Sequence, residues 1–162
     1  MKLYLIRHGE SESNASGYYL GKDSKLSIAG RTQARKLARR FVKIPINLVV
    51  ASDYRRAIST AEIIGRVKKK KVVIIPFLGE ERYPTEFERK HTNDPEVARM
   101  RRILRKNRNK KGWHYSDEEN FFDLKLRIQK FLKVLGRRKE KSILAVGHGI
   151  SNRMIVGLML FG

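Results

Sequence analysis

The sequence predicts an α/β fold of three layers, a mainly parallel central sheet between helices. Three observations carry that prediction. Short aliphatic runs at residues 2–6, 47–51, 72–75 and 142–146 are apolar on successive positions, as in strands buried on both faces. Segments with apolar residues at helical spacing lie between them. Polar residues suited to chemistry come directly after the runs, and in such folds ligands bind beyond the carboxyl ends of the strands.

Residues 2–6 form the first strand. Ser27 caps a helix over 28–42, whose Ala34, Leu37, Ala38, Phe41 and Val42 keep the spacing of one buried face; Pro45 lies beyond its end. The second strand, 47–51, ends in Ser52 and Asp53. A helix over 54–67 turns Ala57, Ala61 and Ile64 inward, and Lys68 to Lys71 make a basic turn. Pro76 stops the third strand, 72–75. Residues 77–116 are polar and short of apolar periodicity, with a helix over 95–107 and then a loop. A helix over 117–135 and the fourth strand, 142–146, lead into Gly147, His148 and Gly149. The last helix starts near Ser151. No repeat or linker interrupts residues 1–162, which read as one domain carrying 84–116 as a basic insertion.

Charge is the compositional outlier. Thirty-seven Lys and Arg against 16 Asp and Glu leave a net charge of +21, and a field of that sign concentrates anions at the surface. The partner classes it admits are phosphorylated small molecules, nucleic acid and anionic membrane. No apolar run approaches the length that spans a bilayer, no leader pattern opens the chain, and there is no cysteine. These features give the expectation of a cytoplasmic protein without a membrane partner.

His8 and His148 each end a strand and precede a glycine, which permits a sharp turn and close approach of a ligand. Arg7 and Arg56 stand at neighbouring strand ends. Guanidinium forks match phosphate oxygens, and a neutral imidazole is a competent nucleophile toward phosphorus. GHGIS lacks the serine-hydrolase elbow, and no glycine-rich phosphate loop with Lys-Ser/Thr is present.

These residues sit in ordered motifs: LIRHGESESN, DSKLSIAGRTQA, ASDYRRAISTA, LGE at 78–80, ENFFDLKLR and AVGHGISNR. Together they resemble the histidine phosphatase superfamily, whose best-known branch is phosphoglycerate mutase, over nearly the whole chain. The resemblance implies a phosphoglycerate mutase-like fold and metal-independent phosphomonoester hydrolysis without a cofactor. His8 would be the nucleophile that becomes a phosphohistidine. Arg7, Arg56, Asn14, Gly149 and His148 would bind the phosphoryl group. Glu80 would protonate the leaving oxygen and then activate water, with Glu81 next door as the other candidate.

The mutase branch carries E-R-H-Y-G after Leu-x, whereas this chain has LGEERYPTEF, so hydrolysis is favoured over phosphoryl transfer between phosphoglycerates. The family places its substrate-selecting cap where this chain has residues 84–116. The cluster at 99–111 reads mainly as a solvated helix face, and otherwise as the wall of a site for a polyanionic substrate. Trp113 and Tyr115 beside it admit a nucleic-acid patch as the lesser reading. His91 and His114 read as surface residues. The apolar ending over Val156, Leu158, Met159, Leu160 and Phe161 lacks polar covering, which a further segment or a homodimer partner would supply.

Overall fold

The structure is a computed structural model that describes residues 1–162. Four strands, β1 (Lys2–Arg7), β2 (Leu48–Ala51), β3 (Val72–Ile74) and β4 (Ser142–Gly147), form one sheet in the order β1-β4-β2-β3, every neighbouring pair parallel. Six helices accompany it: α1 (Glu12–Ser16), α2 (Ile28–Arg40), α3 (Arg55–Lys68), α4 (Pro95–Asn107), α5 (Phe121–Gly136) and α6 (Gly149–Phe161).

The strand period of two divides the core. Val49, Ala51, Leu144 and Val146 point to one face and pack with Ala38, Phe41, Ala57, Ala61 and Ile64 of the α2–α3 side. Leu48, Val50, Ile143 and Ala145 point to the other and meet Leu124, Ile128, Phe131, Leu135 and Ile155 of α5 and α6. The expected three layers are therefore present. Burial on both faces holds for β2 and β4 throughout; β1 and β3 are the sheet edges, and their side chains are mostly only half-buried.

Several boundaries differ from the sequence expectation. Helix α2 stops at Arg40 with Phe41 as its C-cap, so Val42 lies outside it and is exposed. Strand β3 ends at Ile74, and Pro76 opens a 3-10 turn. Helix α5 begins at Phe121 because the Asn120 side chain accepts from the Phe122 and Asp123 N–H groups and fixes the start there. Helix α6 starts at Gly149, two residues before Ser151.

Segment 77–116 also has apolar organisation that its polar composition hid. Val97 and Met100 of α4 are buried against Phe87, with Tyr19 and Leu104 at the margin of this third, small cluster. Asp94 caps α4, and Pro95 occupies its first turn. The C-terminal half of α6 leaves Val156, Met159, Leu160 and Phe161 exposed, and no helix is long and apolar enough to cross a membrane.

Candidate active site

The sheet order aligns the candidate residues. β1 and β4 run in register, with Arg7 opposite Gly147, and the His8 N–H donates to the Gly147 carbonyl at 3.1 Å. His8 and His148 therefore emerge side by side, their ring centroids 4.9 Å apart. β2 is the next strand, and the Ser52 N–H donates to the Val146 carbonyl. That places the Ser52 hydroxyl 2.7 Å from His148 Nε2.

His8 Nδ1 lies 2.6 Å from the Gly9 carbonyl oxygen. A carbonyl only accepts, so Nδ1 carries the proton and Nε2 presents a lone pair. The Arg56 Nε–H donates to that Nε2 at 3.1 Å. Burial lowers the His8 pKa to about 4; the Gly9 hydrogen bond opposes the shift, and the Arg56 and Arg7 charges add to it. Burial, with the charge of Arg56 and an unfavourable contribution from His8, takes His148 to about 2. Both rings are thus neutral near pH 7. His148 Nδ1 is fully buried and has no hydrogen-bond partner.

Arg56 projects from the first turn of α3. Its Nη1 donates to the Gly21 carbonyl, and its Cζ sits 4.7 Å from the Tyr54 ring centroid. Thr60, one turn later, donates to the Arg56 carbonyl and accepts from the Gly9 N–H, which ties the turn after His8 to α3. Arg7 is exposed at the tip of β1. Arg55 points outward, as expected.

Glu80 and Glu81 part company. Glu80 Oε1 accepts from the Glu81, Ile150 and Ser151 N–H groups at 3.1 Å, and Oε2 accepts more weakly from Ile150 at 3.3 Å. The carboxylate thus sits on the N-terminus of α6, where amide donors and helix dipole suit it. Gly149 lies between the groups that matter: a methyl built on it would be 3.7 Å from Glu80 Oε2 and 3.9 Å from Arg7 Cζ. Glu81 is buried and takes the Arg108 guanidinium at 2.8 Å. Burial raises its pKa, and Arg108 opposes the shift.

Arg127 holds the strand-to-acid segment. It donates to the carbonyls of Phe77, Gly79 and Glu80 at 2.9–3.0 Å and pairs bidentately with buried Glu119 at 2.6 and 2.7 Å. The Glu119 carboxylate also accepts from the Arg82 N–H. In the sequence, Glu119, Arg127 and Ser52 stand in motifs that assign them no role, and Tyr54 carries no signal of its own. The i,i+8 spacing of Glu119 and Arg127 on one helix entry was the available signal.

Arg7, His8, Asn14, Tyr54, Arg56 and Glu80 all line one open cavity of about 530 Å³, together with Lys22, Arg82 and Tyr83. His148 lies fully buried behind His8 and Tyr54. Asn14 has a second job: its Oδ1 accepts from the Ser11 N–H and hydroxyl, capping the short helix α1, which has too few residues to show a period. Gly9 has a different reason from the one expected. A Cβ there would lie 2.5 Å from the Gly30 carbonyl oxygen, so the glycine permits close approach of α2 rather than of a ligand.

The segment over 84–116 borders the cavity through Pro84, Thr85 and Phe87. A smaller cavity of about 180 Å³ adjoins it, sharing Glu81, Arg82 and Tyr83 and adding Arg101, Arg105, Arg108 and Trp113. Arg108 is paired with Glu81, whereas Arg101 and Arg105 have no carboxylate partner. His91 packs on Tyr18, and His114 pairs with Asp123 at 2.6 Å. No three His, Cys, Asp or Glu side chains converge as a metal site.

Comparison with known proteins agrees with this geometry. Residues 3–161 match the family model of the histidine phosphatase superfamily (branch 1). A protein of Hydrogenobacter thermophilus, provisionally named phosphoserine phosphatase 2, is 31% identical over 159 residues, 98% of this chain and 78% of that one. A probable phosphoglycerate mutase of an Enterobacter species is 32% identical over 165 residues, 99% and 75% of the two chains. The crystal structure of the alpha-ribazole phosphatase from Shigella flexneri superposes with a TM-score of 0.85 at 27% identity, over 99% of this chain and 80% of that one. Mycobacterial glucosyl-3-phosphoglycerate phosphatase in complex with VO3 gives 0.80 at 26%, over 98% and 79%. The chain belongs to the histidine phosphatase superfamily, branch 1.

Proposed function

We propose that the protein is a metal-independent phosphomonoester hydrolase that works through a phosphohistidine on small anionic phosphorylated metabolites in the cytoplasm. The observation that carries this is His8: a neutral ring with its proton fixed on Nδ1 toward Gly9 and its Nε2 lone pair directed at Arg56. A phosphoryl group placed there meets the nucleophile and a guanidinium together. Nε2 attacks phosphorus and the bond to the ester oxygen breaks. Arg7 and Arg56 neutralise the equatorial oxygens, the neutral His148 ring adds a hydrogen bond without charge, and the Asn14 amide lines the mouth. Glu80, anchored through Oε1, hands a proton to the leaving oxygen from its freer Oε2. It then takes one from the water that cleaves the N–P bond. Named phosphatases among the relatives support the same reading.

Residues 84–116 act in this reading as a cap. The unpaired guanidiniums of Arg101 and Arg105 favour a substrate with a second negative group. A mutase is the second reading, supported by relatives named as probable phosphoglycerate mutases.

The test is hydrolysis of an aryl phosphate in EDTA by wild type and His8→Ala, with an alkaline denaturing quench of enzyme labelled from radioactive substrate, followed by acid or base treatment. Metal-independent turnover and an acid-labile phosphoenzyme, both lost in the variant, are expected. Equal turnover in the two proteins overturns His8 as nucleophile. Isomerisation of phosphoglycerates without net hydrolysis selects the mutase.

A further inference from the structure

The end of the sheet opposite the catalytic cavity collects a second set of charges. Four connections meet there. The Lys2 N–H donates to the Lys141 carbonyl at 2.8 Å, and the Asn47 N–H donates to the Ser142 carbonyl at 3.0 Å. The Ser142 hydroxyl donates to the Pro45 carbonyl. Lys68 Nζ, from the end of α3, donates to the carbonyls of Phe41, Val42 and Ile44 beyond the end of α2. The approaches to all four strands thus form one surface.

Three runs supply its charge: RRFVK at 39–43, RVKKKK at 66–71 and RRKEK at 137–141. Apart from Lys68, every Lys and Arg in them is exposed: three in the first run, four in the second, four in the third. None makes an ion pair, and the only acid among them is Glu140. Cations suit the ends of α2, α3 and α5, but each helix C-terminus carries only about half a negative charge. The cations exceed that demand several-fold. Lys69 even holds a left-handed backbone conformation, φ 51°, that glycine would adopt at less cost.

We propose that this end docks on the phosphate backbone of a nucleic-acid duplex without reading its sequence. Four strands about 4.8 Å apart give an edge roughly 14 Å wide, along which a duplex presents one charge per ~1.7 Å. Over that width a duplex carries about eight phosphates, about four on each strand, and the exposed cations of the three runs are enough to pair with all of them. No exposed aromatic, Asn or Gln lies in the three runs and Phe41 is buried, so the surface offers nothing for bases to stack on and no bidentate partner for adenine. A lipid surface fits less well: α2, α3 and α5 meet this end by their tips rather than lying flat, and Val42 and Val67 are the exposed apolar residues of the three runs. The surface is separate from the cap cluster at 99–111, which lines the catalytic side.

The test measures binding of a labelled 20-base-pair RNA duplex, its DNA counterpart and phosphatidylserine vesicles. The proteins are wild type, K69E/K70E/R138E/K139E and the cap variant R101E/R105E. Duplex binding by wild type should weaken steeply with salt. The fourfold variant should bind at least tenfold more weakly at 100 mM salt, with a shallower salt slope, while hydrolysing aryl phosphate at the wild-type rate in 150 mM salt. The cap variant should keep duplex binding, and duplex should not inhibit hydrolysis. The proposal falls on any of four results: no duplex binding at 50 mM salt, equal binding by the fourfold variant, loss confined to the cap variant, or tighter binding to vesicles than to either duplex.

Discussion

His8 and His148 share one neighbourhood with two arginines, and burial keeps both rings neutral far below the usual histidine range. His114 shows the opposite: its hydrogen bond to Asp123 raises its pKa. An NMR titration of the ring protons should find His8 and His148 still neutral at pH 5.5, when His114 is charged. A His8 midpoint at 6 or above would contradict the burial argument. Stability responds accordingly. Unfolded histidines bind protons that the native rings refuse, so stability falls as pH drops below about 6.5, down to about 4 for His8 and about 2 for His148. His114 acts in reverse, and its contribution is lost as pH rises through its raised value. The adjacent carboxylates make a second residue-scale prediction. Glu80→Gln keeps the anchoring amide bonds yet removes the transferable proton, so kcat should fall ~10²–10⁴-fold. Glu81→Gln weakens the Arg108 pair and should leave kcat within about tenfold. Steady-state kinetics on one aryl phosphate decides between them, and a larger loss in Glu81→Gln would exchange the two roles.

Elements matter here through the segments they tether. The turn at Pro76–Leu78 and the two residues after it carry Glu80, and Arg127 near the start of α5 grips three of their carbonyls. Arg127→Ala would leave the Glu119 carboxylate, which is only 4% exposed, with the Arg82 N–H and a guanidinium at 3.8 Å as its remaining partners. Breaking a buried pair costs about 3–5 kcal/mol where no other partner remains, so a loss of about 2–3 kcal/mol is expected with Arg82 still present, and kcat should fall with it if Glu80 is the proton donor proposed above. If chemical denaturation shows less than 1 kcal/mol of loss, or if kcat is untouched in the folded variant, Arg127 has no such role. Its work was hidden in the sequence because all three acceptors are main-chain carbonyls, which carry no residue signature. The same limit hid the amides of Ile150 and Ser151 beneath Glu80. By contrast, His8, His148 and Arg56 were legible because the strands are short and uniformly apolar, so their ends, and the residues just beyond those ends, are sharply marked. Helix α4 was found over its full extent from Pro95 and its cation-rich face, but its packing on Phe87 was missed: two buried residues, Val97 and Met100, make too narrow a stripe to stand out among arginines.

At the scale of the whole molecule, a charge of +21 acts on substrate according to distance and salt. The six residues of β1 separate the basic end from His8 by roughly 20 Å at ~3.3 Å per residue. The Debye length is about 30 Å at 10 mM ionic strength and about 8 Å at 150 mM. Cations at the far end therefore reach the substrate in dilute buffer and are screened from it at physiological salt. Arg7, Arg56 and the cap guanidiniums line the cavities themselves and act at both. For a dianionic aryl phosphate, KM of the wild type should rise several-fold from 10 to 150 mM salt while kcat stays constant, since the field assists encounter and binding rather than the bond-breaking step. K69E/K70E/R138E/K139E should show a raised KM at 10 mM that converges with the wild type by 150 mM. R101E/R105E should keep a raised KM for doubly anionic substrates at both salts, because screening by bulk ions weakens where the cavity wall excludes solvent. Parallel salt curves for the two variants would mean that the charge acts only as a uniform total. Divergent curves would instead separate the positive charge into a local set at the catalytic cavity and a distant set directed elsewhere.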